Sequence, residues 1–229
     1  MRNGIEGIAF DLDGTLYPNY RLNIRLVPFI LKEWRLLAAF GKARNVIRKE
    51  QEDNPSLLYG NFYEHQAAVT AGILSVPAEP LKEKIDRLIY KGWEPMFKNI
   101  KLFKKAQETL AAFRKAGYKT GLLSDFPPET KLEYLGIADG WDAVMSSEQC
   151  GALKPHPQSF KDLAAAMGLP TEKIIYVGNS HSYDVAGAKG AGMKTAWIKS
   201  PLKPGCGGKE PKPDFSFHNY RQLYDFMLK

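Results

Sequence analysis

Short apolar runs that alternate with residues at helical spacing constrain this chain more than any other feature. Ile5 to Phe10 is the first such run. After Lys101, Leu102, Phe103, Ala106, Leu110 and Phe113 fall on one helical face, Gly117 stops that helix, and Lys119 to Ser124 reads as a buried strand. The pattern then repeats. Ala143 to Ser147 is apolar, Phe160, Leu163, Ala164 and Met167 recur at three and four residues before Gly168, and Lys173 to Val177 reads as the next strand. A helix over Tyr183 to Ala191, strands over Lys194 to Ile198 and Phe215 to Phe217, and a helix over Tyr220 to Leu228 complete the series. Strands joined by helices pair in parallel, and both faces of their sheet are covered. At 229 residues and 44% hydrophobic, the chain is large enough to bury such a core.

Residues 20–97 break the rhythm and read as helices alone: Leu22 to Phe40, Lys42 to Asp53, Ser56 to Ile73 and Pro80 to Tyr90. Pro55, Pro77 and Gly92 punctuate them. The formal net charge of +7 is concentrated here, because Arg21 to Lys49 holds eight Lys or Arg against the single acid Glu33. That block reads as a solvated helix face, or as an attraction for an acidic substrate. Leu26, Phe29, Ile30, Trp34, Leu37 and Phe40 within it read as core of the helical segment, with membrane or partner docking as the alternative. Ser200 to Pro213 reads as a surface loop.

The chemistry is concentrated in Asp11-Leu12-Asp13-Gly14-Thr15-Leu16-Tyr17. Two carboxylates one residue apart at a strand's carboxyl end face one point, where open α/β sheets bind ligands. Held together they repel each other, so the pair favours a divalent cation and suits chemistry on phosphate.

Four stations, Asp11-Leu12-Asp13-Gly14-Thr15, Ser124, Lys154-Pro155-His156-Pro157, and Val177-Gly178-Asn179-Ser180 with Asp184, together resemble the haloacid dehalogenase superfamily. The resemblance spans the whole α/β core. It implies a Rossmann-like three-layer parallel sheet core over residues 1–19 and 98–229, with an inserted all-helical cap over 20–97. It also implies an Mg²⁺-dependent phosphatase acting on a small phosphorylated metabolite through an aspartyl phosphate. Asp11 would be the nucleophile and Asp13 the proton carrier, neutral at first and charged later. Ser124, Asp125 and Lys154 would meet the phosphate, and Asp11, Asp13, Asn179 and Asp184 would hold the metal. Two positions depart from the family pattern. Asp125 stands where Asn is common, and is read equally as a helix cap or a substrate contact. Asn179 stands where Asp is common, and replaces a full charge by a carbonyl oxygen, which implies weaker Mg²⁺ binding. His181 and Tyr183 are secondary candidates for the site lining.

A 2-haloacid dehalogenase would use Asp11 without metal, but Asp13 argues against that subgroup. A phosphomutase or phosphonatase would need a relay or a Schiff-base lysine that spacing does not identify. A non-catalytic polyanion-binding protein would use the basic block, although no nucleic-acid partner is expected. Gly187 to Thr195 fails the P-loop pattern at Met193, and its glycines close a helix rather than open one. Two cysteines, Cys150 and Cys206, do not make a disulfide scaffold, and no run has signal-peptide or membrane-spanning length. A cytoplasmic protein without membrane association is the expectation.

Overall fold

A computed structural model describes residues 4–199 and 210–229, so most of the expected Ser200 to Pro213 loop lies outside the described residues. Six parallel strands form one sheet in the order β3-β2-β1-β4-β5-β6. The strands are β1 (Gly7–Phe10), β2 (Lys119–Ser124), β3 (Ala143–Ser146), β4 (Ile174–Gly178), β5 (Lys194–Ile198) and β6 (Phe215–Phe217). After β1 the chain builds outward through β2 to β3, then crosses back to β4 and builds the other way. The boundary between β1 and β4 is therefore the switch point, and in such sheets the ligand crevice opens there.

Both faces are covered. Helices α5 (Ala106–Lys115) and α9 (Tyr220–Leu228) bury Leu110, Phe113, Tyr220, Leu223 and Met227 against one face. Helices α7 (Pro157–Ala166) and α8 (Ala186–Gly190) bury Phe160, Leu163, Ala164 and Ala188 against the other. The result is the expected three-layer Rossmann-like arrangement. Helix α6 (Glu129–Leu135) follows β2, and a π-helical turn, His181–Val185, follows β4.

Residues 19–97 are helical throughout their regular elements, but the boundaries differ from the expected ones. Leu22 to Phe40 and Lys42 to Asp53 merge into one helix, α1 (Asn19–Asp53), broken at Glu33 rather than at Gly41. Helix α2 is shorter than expected, Phe62–Leu74, because the Asn61 side chain caps it by accepting from the Glu64 amide. Helix α3 (Ala78–Ile85) runs into a π-helical turn at Asp86–Tyr90, a short helix α4 (Lys91–Trp93) and a 3₁₀ turn at Glu94–Phe97.

Not all of the expected core of α1 is buried. Leu26 and Phe40 are, but Trp34 is 61% exposed, with Ile24 at 66% and Leu31 at 74% beside it. The buried stripe runs instead through Leu36, Ala39, Phe40, Ala43 and Ile47, because the half of α1 beyond the break packs inward. No helix among the described residues is long and apolar enough to cross a membrane.

The last helix is tied to the first turn of the chain: the buried Tyr220 hydroxyl donates to the Thr15 carbonyl at 2.7 Å. Replacing Tyr220 by Phe strands that carbonyl, and a cost of about 1–3 kcal/mol is expected in urea unfolding, with the m-value unchanged.

Candidate active site

The loop ends of β1, β2 and β4, with the loop after β3, bring the expected residues to one place. The Asp11 amide donates to the Val177 carbonyl at 2.9 Å, which continues the β1–β4 ladder one residue past the strand. Asp11 is buried. Its carboxylate accepts from the Thr15 hydroxyl at 2.7 Å on one oxygen and from Lys154 Nζ at 2.7 Å on the other. The same ammonium donates to Asp184 Oδ1 at 2.8 Å, and the second Asp184 oxygen accepts from the Ser180 amide at 2.8 Å. Asp184 is pressed so closely against Gly178 that a side chain at residue 178 would overlap it.

Asp13 has a different set of partners. The Tyr17 hydroxyl donates to one oxygen, while Lys131 Nζ at 3.1 Å and the Ser124 hydroxyl at 3.4 Å donate to the other. Gly14 follows with φ +87°, a left-handed turn whose open space is filled by the side chains of Asn179 and Asn19. The Asn179 carbonyl is held by Trp197 Nε1 at 3.0 Å. Asp11, Asp13, Ser124, Lys154, Asn179 and Asp184 thus converge.

The two carboxylates of the motif are driven in opposite directions. Burial pushes Asp11 up to about 7, opposed by Lys154 and reinforced by the charges of Asp184 and Asp13. Burial acts on Asp13 in the same sense, but there Lys131 and the Tyr17 hydrogen bond prevail and hold it below the usual carboxylate range. Asp11 and Asp184 outweigh burial at Lys154 and keep it firmly protonated.

Asp125 does not cap helix α6, whose N-cap is Pro128 with no side-chain hydrogen bond. It accepts from Arg48 at 2.7 Å and from the Ser147 hydroxyl at 2.8 Å, and Arg44 lies 3.5 Å away. Arg44 also pairs with Glu148, and Arg48 donates to the Lys154 carbonyl at 2.9 Å. Two members of the basic block are therefore engaged in joining α1 to the core. His181 is buried against Trp197 and contacts the Pro211 carbonyl at 3.1 Å, and Tyr183 lies under Arg48.

Sequence reasoning missed Lys131, which looks like any helix lysine after a Pro-Pro pair. Its ammonium lies over the rings of Phe97 and Phe126, a position that no spacing rule encodes.

The donor set suits a hard cation, for which Asp11 and Asp184 supply carboxylates and Asn179 an amide oxygen. Three carboxylates face two ammonium groups in this cluster, and a phosphate dianion would add further negative charge. Among the described residues no three His, Cys, Asp or Glu side chains form a ready cage. Asp13, expected among the metal ligands, has its carboxylate taken by Tyr17 and Lys131, which makes it the weakest candidate of the four.

A family model described as haloacid dehalogenase-like hydrolase matches residues 5–192. Glyceraldehyde 3-phosphate phosphatase of Methanocaldococcus jannaschii is 30% identical over 234 residues, covering 97% of both chains. The enzyme of that name from Pyrococcus furiosus is 36% identical over 118 residues, half of this chain and 46% of that protein. The structure of a 2-haloacid dehalogenase from Pseudomonas syringae pv. Tomato DC3000 superposes with a TM-score of 0.66 at 20% identity, covering 96% of this chain and 97% of that one.

The depressed Asp125 carboxyl gives a signed expectation. Burial would raise it, but Arg44, Lys154 and Arg48 lower it well below the unfolded value, so its contribution to stability is present above about pH 4 and is lost as pH falls further. In urea titrations at stepped pH, Asp125→Asn should be less stable than wild type near neutrality, and the gap should narrow towards pH 2.

Proposed function

The chain belongs to the haloacid dehalogenase-like hydrolases, and we propose that it is an Mg²⁺-dependent phosphatase of small phosphomonoesters. The observation that carries this reading is the separation of the two motif carboxylates. Asp11 is clamped by Lys154 and Thr15, and Asp13 is held apart by Tyr17 and Lys131. Two carboxylates in distinct environments can take distinct roles.

In the first step an Asp11 oxygen attacks phosphorus, and the bond to the leaving oxygen breaks as Asp13 gives that oxygen a proton. In the second, water attacks the aspartyl phosphate, Asp13 takes the proton from that water, and inorganic phosphate and free Asp11 are released. Lys131 and the Tyr17 hydroxyl favour the ionised form of Asp13, whereas its role as the acid needs it neutral at the start. A phosphate ester beside it raises its affinity for a proton, which the monoanionic form of the ester or solvent water supplies. Lys154 and the Ser124 hydroxyl would meet the phosphoryl oxygens, where most of the charge resides.

Asp11, Asn179 and Asp184 would hold Mg²⁺, which supplies positive charge that keeps Asp11 ionised and offsets the charge of the phosphate. Residues 20–97 act as a cap that roofs this site and excludes water. The relatives named as phosphatases at 26–30% identity over nearly the whole chain support the reaction class.

The test is turnover of p-nitrophenyl phosphate with and without Mg²⁺. Asp11→Asn is expected to lower kcat by about 10³-fold or more, and undiminished turnover would sink the mechanism. Asn179→Asp restores a full charge, and should lower the Mg²⁺ concentration for half-maximal activity by about tenfold or more.

A further inference from the structure

Between the helical insertion and the core lies a cavity of about 370 Å³, a size suited to a small organic molecule. Its walls include Tyr63, Tyr90, Trp93 and Phe97 from the insertion, and Phe126 and Lys131 from the segment after β2. Two of these walls reach the site described above. Lys131 donates to Asp13, and Phe97 packs edge-on, at 5.9 Å between ring centres, against Tyr17, whose hydroxyl donates to the same carboxylate. The cavity therefore adjoins the proton carrier, on whose side the leaving oxygen departs.

The chemistry of the lining is selective. Its lysines are already engaged: Lys82 with Glu64 at 3.0 Å, Lys91 with Asp86 at 2.6 Å, and Lys131 with Asp13. Glu94 adds a negative charge to the wall. Among the described lining residues every lysine already has a carboxylate partner, so an acidic leaving group would have to compete with one of them. Aromatic edges and faces offer an apolar ring good packing. The Trp93 Nε1 is buried and has no hydrogen-bond partner among the described residues, and a ligand oxygen in the cavity would supply one.

We propose that this cavity receives the alcohol half of the substrate and selects aryl or arylalkyl phosphomonoesters over small polar or acidic ones. This rests on the phosphatase reading and narrows it to a substrate class. It differs from the small polar substrate in the names of the phosphatase relatives.

The probes are 2-phenylethyl phosphate and glycerol 3-phosphate, both esters of primary alcohols, so that leaving-group chemistry is comparable. Burying one ring is expected to favour 2-phenylethyl phosphate by about 10- to 100-fold in kcat/KM, carried mainly by KM. Ala67→Leu fills the cavity from α2, and Trp93→Ala removes one wall. Each should bring the two kcat/KM values together while thermal unfolding shows a folded protein. Equal or faster hydrolysis of glycerol 3-phosphate by wild type overturns the proposal, as does a variant that lowers both substrates alike. Hydrolysis of neither substrate counts against the phosphatase reading instead. Calorimetric titration with 2-phenylethanol then decides the cavity: binding to wild type and not to Ala67→Leu upholds it, and no binding to wild type overturns it.

Discussion

The Lys154 ammonium, shared between Asp11 at 2.7 Å and Asp184 at 2.8 Å, is the interaction on which the rest of the site depends. The three residues come from three different places: the end of β1, the π-helical turn after β4, and the loop after β3. Without the ammonium, two buried carboxylates would face each other at the switch point of the sheet, and one would have to take up a proton. Removing one partner from a buried ion pair typically costs about 3–5 kcal/mol, because the remaining charge is left uncompensated. The sheet sets the crevice, and the ammonium makes it tolerable for carboxylates to line it.

One residue away, Asp13 meets a different environment, although it belongs to the same short motif. Its partners come from its own turn, from β2 and from helix α6 rather than from the far side of the switch point. Local sequence places the two acids together, and tertiary structure then separates their chemistry. The opposite displacement of their proton affinities follows from which lysine each one meets.

Much of this was legible beforehand. The bounds of β2, β5 and β6 coincide with the expected runs, and for β2 and β5 the cause is that buried parallel strands have no solvated face to blur the pattern. Asp11, Asp13, Ser124 and Asn179 sit at or just past a strand end, whereas Lys154 and Asp184 lie farther on and were legible only through the resemblance of their motifs to the family's. Lys131 and the partners of Asp125 were not, because contacts between α6, α1 and the loop after β3 depend on how helices settle on the sheet. The core of α1 was only half legible. Apolar residues surround much of its first half, so periodicity did not distinguish the packed side from the side that leaves Leu31 and Trp34 in solvent.

Helix α1 grips the core at the segment that carries Lys154. Arg48 holds the Lys154 carbonyl, Gln51 accepts from the Leu153 amide at 3.1 Å, and the Lys154 amide donates to Asp125, which Arg48 also binds. A helix that swung away would pull on the backbone of the very residue that clamps Asp11, and would leave the Asp125 carboxylate without its arginines. Any movement of α1 away from the core would therefore also loosen the backbone that carries Lys154.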